Sequence, residues 1–149
     1  MDHSNPLSFY NVHGLNLAVR NDDPGISRVL QKPLGRRRWH REPEFMDILA
    51  DNLMPNDIFL DIGCNIGYVA SYVLSKLGAD GRLYTIEPDP KNIAAFKATL
   101  EKNPTLEQNV ISCDQLAFAD YSGTAVFELS SKSNLHRLRD ISLNLDSGV

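Results

Sequence analysis

The stretch Asp57–Tyr68, DIFLDIGCNIGY, constrains the fold more than any other part of the chain. Ile58, Phe59, Leu60 and Ile62 are bulky and β-prone, and only Asp57 and Asp61 carry charge, so the run reads as a buried strand. An ionised carboxylate at the end of such a strand is costly unless something hydrogen-bonds it, so Asp61 is expected to be held there for a partner. Gly63 and Gly67 permit a tight backbone turn with room for a ligand against it, and Asn65 is among the few other residues that tolerate a left-handed backbone. A helix follows at once, because Ile66, Val69, Ala70, Val73, Leu74 and Leu77 form an apolar stripe and Gly78 suits the position just past its end.

The same order recurs downstream. RLYTIE (82–87) reads as a second strand that again finishes on an acid. Pro88-Asp89-Pro90 then opens a helix, with Asp89 capping free N–H groups and Pro90 at the first helical position. Ile93, Phe96 and Leu100 supply its buried face, Asn103-Pro104 stops it, and Val110–Cys113 is a third strand followed by Asp114-Gln115. Strand, helix, strand, helix, strand within about 55 residues marks a parallel sheet.

The flanks read differently. Ser8–Ala18 has the pattern of a β-hairpin around His13-Gly14, residues 21–35 read as loop, and Phe45, Ile48, Leu49 and Leu53 give a helix over Pro43–Leu53 its apolar face. Leu116–Ala119 and Thr124–Leu129 flank Asp120-Tyr121-Ser122-Gly123, which suits a type I turn and predicts a second hairpin. The polar segment from Ser130 to Val149 carries no clear pattern.

Composition narrows the function. With 42% hydrophobic and 23% charged residues, 149 residues suit a single globular domain. A net charge of −4 offers no global attraction to nucleic acid or to anionic membranes, so neither is expected as a partner. The N-terminus lacks a signal peptide and no window approaches the roughly 18 apolar residues of a membrane span, which makes the cytoplasm the expected compartment. Cys64 and Cys113 belong to no C-x-x-C pattern, so neither a metal site nor a disulfide is expected. The basic run RRRWHR (36–41) reads either as a grip on an anion or as a solvated loop, and the acidic chain favours the loop.

In an open parallel sheet, ligands bind beyond the carboxyl ends of the strands. Asp61, Gly63, Asn65, Gly67, Glu87 and Asp114 are expected at that edge. Glu87, about 20 residues past the glycine turn, sits where an acid accepts hydrogen bonds from ribose hydroxyls. A dinucleotide fingerprint would need glycines where Asn65 and Tyr68 stand, and a phosphate-binding P-loop would need a lysine after Gly67; both are missing. A ligand with a ribose but no phosphates fits better.

The series D-x-G-x-N-x-G (61–67) after one strand and EPDP (87–90) after the next resembles the class I S-adenosylmethionine-dependent methyltransferases, and more closely the FkbM family. The likeness extends through PGISR (24–28), FADYSGTAVFEL (118–129) and SSKSNL (130–135). It implies an α/β, Rossmann-like fold, with residues 1–42 an N-terminal hairpin and loop extension and residues 43–149 the N-terminal portion of the methyltransferase domain. It also implies that Asp61, Gly63, Asn65 and Gly67 surround the methionine part of S-adenosylmethionine, that Glu87 binds the ribose, and that Asp114 with Gln115 meets the adenine. The family's fourth strand, beside the first, and the acidic-glycine motif after it do not occur in this sequence, so the sheet is expected to be incomplete, with one edge of the first strand open.

The activity so implied is methyl transfer to a hydroxyl of a small molecule or sugar. The alternative is a non-catalytic remnant or partner-binding module that keeps the nucleoside pocket; a second chain completing the sheet would be such a partner. Asn134 and His136 are candidates to line an acceptor site, the other reading of His136 being a solvated residue in a polar tail. No catalytic base is identifiable in the sequence.

Overall fold

The computed structural model describes residues 6–138. A hairpin of β1 (Leu7–Val12) and β2 (Leu15–Arg20) comes first, followed by short α1 (Ile26–Leu30) and α2 (Pro43–Asn52). Then come β3 (Ile58–Ile62), α3 (Tyr68–Leu74), β4 (Arg82–Ile86), α4 (Pro90–Lys102), one-turn α5 (Pro104–Glu107) and β5 (Val110–Asp114). A two-stranded ladder of β6 (Phe127–Glu128) and β7 (Arg137–Leu138) closes the described chain, with a 3₁₀ turn at Ser133–Leu135 between them.

The central sheet is parallel, in the order β3-β4-β5, with Leu60 opposite Tyr84 and Ile62 opposite Ile86. Its helices start as the sequence dictates: Asp89 Oδ1 accepts from the Lys91 N–H and Pro90 opens α4. Phe96 is fully buried with Ile93 and Leu100 beside it. Helix α3 is shorter than its apolar stripe, ending at Leu74. Gly78 lies past its end without a positive φ, donating its N–H to the Pro55 carbonyl at 2.7 Å.

The hairpin is stitched to α4. Ala18 N–H donates to Thr99 Oγ1 (2.9 Å), and Asn103 Oδ1 accepts from the Asn16 N–H (3.1 Å). Leu17, Ala18 and Val19 join the core shared by α3, α4 and Leu83 of β4. The Arg20 guanidinium, also buried, donates to Asp89 and Asn92 at 2.7 Å each. A buried cation without partners would cost several kcal/mol, so this arginine ties β2 firmly to the start of α4.

Four expectations change. Residues 21–35 are not all loop, because Asp23 accepts from the Gly25 and Ser27 N–H groups and starts α1. On α2 the buried residues are Met46 and Leu49, while Phe45 and Ile48 face outward. Strand β3 is not buried on both faces: Ile58, Leu60 and Ile62 are 74%, 54% and 48% exposed, and among the described residues no strand pairs with its outer edge. The last hairpin is paired differently. Phe127–Glu128 meets Arg137–Leu138 rather than residues 116–119, because Ser133 is anchored by Asp23 and folds the chain back on itself.

Candidate active site

The end of β3 turns through Gly63, Cys64 and Asn65 into α3. The Gly63 and Cys64 N–H groups donate to the Ile86 carbonyl (2.8 and 3.2 Å), so the turn is fastened to the neighbouring strand. Asn65 has φ +51, and its side-chain oxygen accepts from the Ile66 N–H at 2.9 Å, satisfying a donor at the approach to α3. Its own N–H donates to Glu87 Oε2 at 2.8 Å, across the strand gap. The acid ending β4 therefore shapes the turn that ends β3.

A hollow of about 530 Å³ opens above these strand ends, walled by Gly63, Asn65, Glu87, Pro88, Leu116, Ala117 and Phe118, with Ser133, His136, Arg137 and Leu138 opposite. Ligand sites commonly span about 300–1,000 Å³, so a nucleoside-sized molecule is within its capacity. A side chain grown from Gly63 would meet nothing within 4 Å, which leaves that backbone open to a ligand.

Gly63, Asn65 and Glu87 line this hollow, while Asp61 borders a smaller chamber that shares Gly63 and Asn65 with it. Gly67 does neither: it faces α4, and a Cβ there would overlap the Phe96 ring, so this glycine serves helix packing. Asp114 ends β5 with an exposed side chain and is not part of the wall; its carbonyl accepts from the Glu87 and Leu116 N–H groups. Gln115 borders an adjacent hollow that it shares with Pro88 and Leu116.

Two carboxylates meet contrasting environments. Glu87 is 4% exposed, accepting from Asn65 N–H, Asp89 N–H and Asn92 Nδ2. Asp61 is the opposite case: its Oδ2 is buried and has no hydrogen-bond partner. Burial, then the negative charges of Glu87 and Glu42, push its pKa up to about 6. It borders a small side chamber with Arg41, Glu42, Gly63 and Tyr68. A cation placed there would relieve both the burial and the repulsion.

The far wall comes from the C-terminal part of the described chain, where His136, a candidate lining residue from the sequence, is joined by Ser133, Arg137 and Leu138, which the sequence did not single out. Ser133 donates from N–H and Oγ to Asp23 (2.9 Å each), and its Oγ also lies 3.2 Å from Asn65 Oδ1. Burial alone would raise the Asp23 pKa, but donors from Ser133, Ser27 and Gly25 outweigh it and hold the group below its usual value. His136 is not solvated: its Nδ1 accepts from the Ser130 N–H at 2.9 Å, which leaves Nε2 to donate to Asp89 at 3.0 Å. Both ring nitrogens are thereby engaged. Beyond His136, the only signals for this wall were the acid preceding Pro24-Gly25 and the serine-rich SSKSNL.

Residues 60–142, more than half of the chain, match a family model described as a methyltransferase domain. The chain belongs to this methyltransferase family. Solved structures agree on the fold. TYW2 of P. horikoshii, in complex with MeSAdo, is 16% identical and aligns over 80% of this chain with a TM-score of 0.54. A transferase of Pyrococcus horikoshii is 15% identical over 76%, TM-score 0.54. The tRNALeu complex of aTrm5 is 20% identical over 74%, TM-score 0.52. This chain spans 39%, 37% and 28% of those three chains, respectively. It thus carries part of a methyltransferase domain, built on a three-stranded parallel sheet.

The residues at the strand ends have the chemistry to meet S-adenosylmethionine, the cofactor expected from the sequence. S-adenosylmethionine is positively charged at its sulfonium and ammonium, matching the unpartnered Asp61, and its ribose presents hydroxyl donors to a carboxylate. Among the described residues no three His, Cys, Asp or Glu side chains gather as a metal site, and no helix is long and apolar enough to cross a membrane.

Proposed function

We propose that the chain is the cofactor-binding portion of an FkbM-like O-methyltransferase of the cytoplasm, acting on a hydroxyl of a small molecule or sugar rather than on nucleic acid. The observation that carries this reading is the shared hollow of Gly63, Asn65 and Glu87 with the unpartnered Asp61 beside it. In this reading Asp61, Gly63 and Asn65 hold the methionine portion and Glu87 the ribose, while Gly67 acts through the packing of α3. Gln115 shares the adjacent hollow with Pro88 and Leu116, whose apolar faces suit the adenine ring, while Asp114 lies outside both hollows.

When bound, the cofactor supplies an electrophilic methyl group on sulfur; the protein has to align the acceptor, exclude water and take a proton. Glu42 is the group placed for that last task. It borders both the main hollow and the chamber of Asp61, its side chain is exposed, and its backbone sits in the left-handed region at φ +47. Such strain in a non-glycine residue costs on the order of 1–3 kcal/mol and gathers at functional sites.

Calorimetric titration with S-adenosylhomocysteine tests the pocket. Glu87→Gln, which keeps the shape but loses the charge, is expected to weaken binding about tenfold and also to lower the melting temperature, because its amide NH2 must face one of the N–H groups that Glu87 now accepts from. Equal affinity would remove the ribose assignment.

The second reading, a partner-binding module, is favoured by one observation. Ile58, Leu60, Ile62, Tyr84 and Ile111 leave the central sheet with exposed apolar residues beside the open edge of β3. We propose that further polypeptide, such as a second chain, covers this face and completes the sheet. The isolated chain is therefore expected to self-associate at micromolar concentration and to bind a hydrophobic dye, both reduced by Leu60→Lys. A monomeric, dye-silent wild type would contradict this.

A further inference from the structure

We infer that the cleft between the hairpin turn and the segment 31–40 is a binding site for a phosphate-bearing small molecule, held by Lys32, His13 and His40 and distinct from the methyltransferase pocket. The cleft measures about 400 Å³, and no carboxylate lines it. Lys32 stands at its wall with Asn11 and Gln31, and Tyr10 offers an aromatic face to the rest of a ligand.

Three observations point to an anion. The first is charge: between Asp23 and Glu42 the sequence contains no acid, yet it carries Arg28, Lys32, Arg36, Arg37, Arg38 and Arg41. Among the described residues Lys32, Arg36 and Arg37 are exposed and make no ion pair, whereas Arg38 pairs with Asp47 and Arg41 lies near Glu42. A local excess of positive charge persists on a chain whose net charge is −4.

The second observation is an orphan. His40 Nδ1 is buried with no hydrogen-bond partner, and the Lys32 backbone close to the ring favours its protonated form. A buried polar atom left unpaired costs about 1–3 kcal/mol, which a ligand would recover.

The third is rigidity. Trp39 is buried, with Nε1 donating to Asp47 at 2.8 Å, so the RRRWHR segment is a loop anchored at its tryptophan, with Arg36, Arg37 and Arg38 exposed to solvent as expected. His13, at φ +52, packs edge-on against Trp39 and His40, with ring centroids 4.9 and 5.7 Å away, and its Nε2 lies 3.3 Å from the Tyr68 hydroxyl. Burial and neighbouring cations, Lys76 for His13 and Arg37 for His40, lower both imidazole pKa values. Tyr68, Tyr72 and Trp39 also face His13, and no carboxylate appears among the groups that shift either ring. A bound phosphate would be the missing counter-charge, accepting from Lys32 and from protonated imidazole.

The test follows the imidazole C–H NMR signals of His13 and His40 in the full chain, titrated with inorganic phosphate against chloride at matched ionic strength. Saturable shifts are expected, with each ring's pKa rising by about half a unit or more, while the His136 signal stays fixed. Lys32→Ala, an exposed substitution that leaves the core intact, is expected to weaken the apparent phosphate affinity on the order of tenfold. Affinity for S-adenosylhomocysteine in the same variant is expected to remain at the wild-type value, which separates this site from the cofactor pocket. Absence of a saturable shift, or identical shifts in Lys32→Ala, would overturn the inference. So would preferential, salt-sensitive binding of single-stranded RNA that depends on Arg36 and Arg37, since the site would then be a polyanion track.

Discussion

Replacing Asp61 by asparagine is expected to make the protein more stable and its cofactor site worse. The carboxylate has one buried oxygen without a partner and two negative neighbours, Glu87 and Glu42, and its pKa stands at about 6. In the unfolded chain an aspartate titrates near 3.9. The folded state therefore holds its proton to higher pH, so the favourable contribution is complete below about pH 4 and is lost as pH rises through about 6. A difference of about two pH units corresponds to a cost of roughly 2–3 kcal/mol for the ionised group at neutral pH. Asp61→Asn removes that charge. Urea melts at pH 7.5 are expected to show the variant ahead by about 2 kcal/mol, with the two proteins converging near pH 4.

Binding should move the other way. The variant is expected to lose at least tenfold in affinity for S-adenosylmethionine and less for S-adenosylhomocysteine, which lacks the sulfonium charge. Wild-type binding is also expected to weaken as pH falls below about 6, where Asp61 becomes neutral. A variant no more stable at pH 7.5 would show that the carboxylate has a partner after all, and unchanged cofactor affinity would show that it faces something else. A destabilising charge kept in place is the usual trade of stability for function.

The second large effect separates two glycines of one motif. Gly63 and Gly67 share nearly the same left-handed backbone, φ +80 and +82, so an alanine at either strains the chain by about 1 kcal/mol. Their surroundings differ. A methyl group at 63 enters open space, whereas at 67 it overlaps the fully buried Phe96 ring. Gly67→Ala is therefore expected to cost on the order of 3–4 kcal/mol in urea melts, enough to unfold a marginal domain, and Gly63→Ala only about 1. Gly63→Ala should instead abolish cofactor binding in a folded protein. Adding Phe96→Leu to Gly67→Ala is expected to restore part of the loss through relieved overlap, a coupling that a double-mutant cycle measures. Equal costs at the two positions would remove the packing role of Gly67.

Much of this arrangement was legible because local rules govern it. The strands at 58–62, 82–86 and 110–114 follow from apolar runs, and the start of α4 follows from Asp89 capping and Pro90. Gly63, Asn65 and Glu87 meet at one hollow, with Asp61 at the chamber beside it, because strand ends in a parallel sheet share one edge. The illegible parts depend on distant partners. Nothing near Ser133 in sequence announces that it will bind Asp23, and nothing near His136 announces Asp89. The expected hairpin at 116–129 failed for that reason, since its turn chemistry was sound but a remote anchor drew Phe127 to Leu138. Periodicity also misled on α2, where Phe45 and Ile48 fit an apolar face that the described structure leaves uncovered.

The stitching of the hairpin onto α4 bears on how the chain is made. Ala18 N–H finds its acceptor 81 residues later in Thr99, and Asp23 is bound by a serine 110 positions downstream. During synthesis the N-terminal third must wait on the ribosome, its buried donors still hydrated, until α4 has emerged and folded. Strands β1 and β2 are thus made well before the helix that secures them.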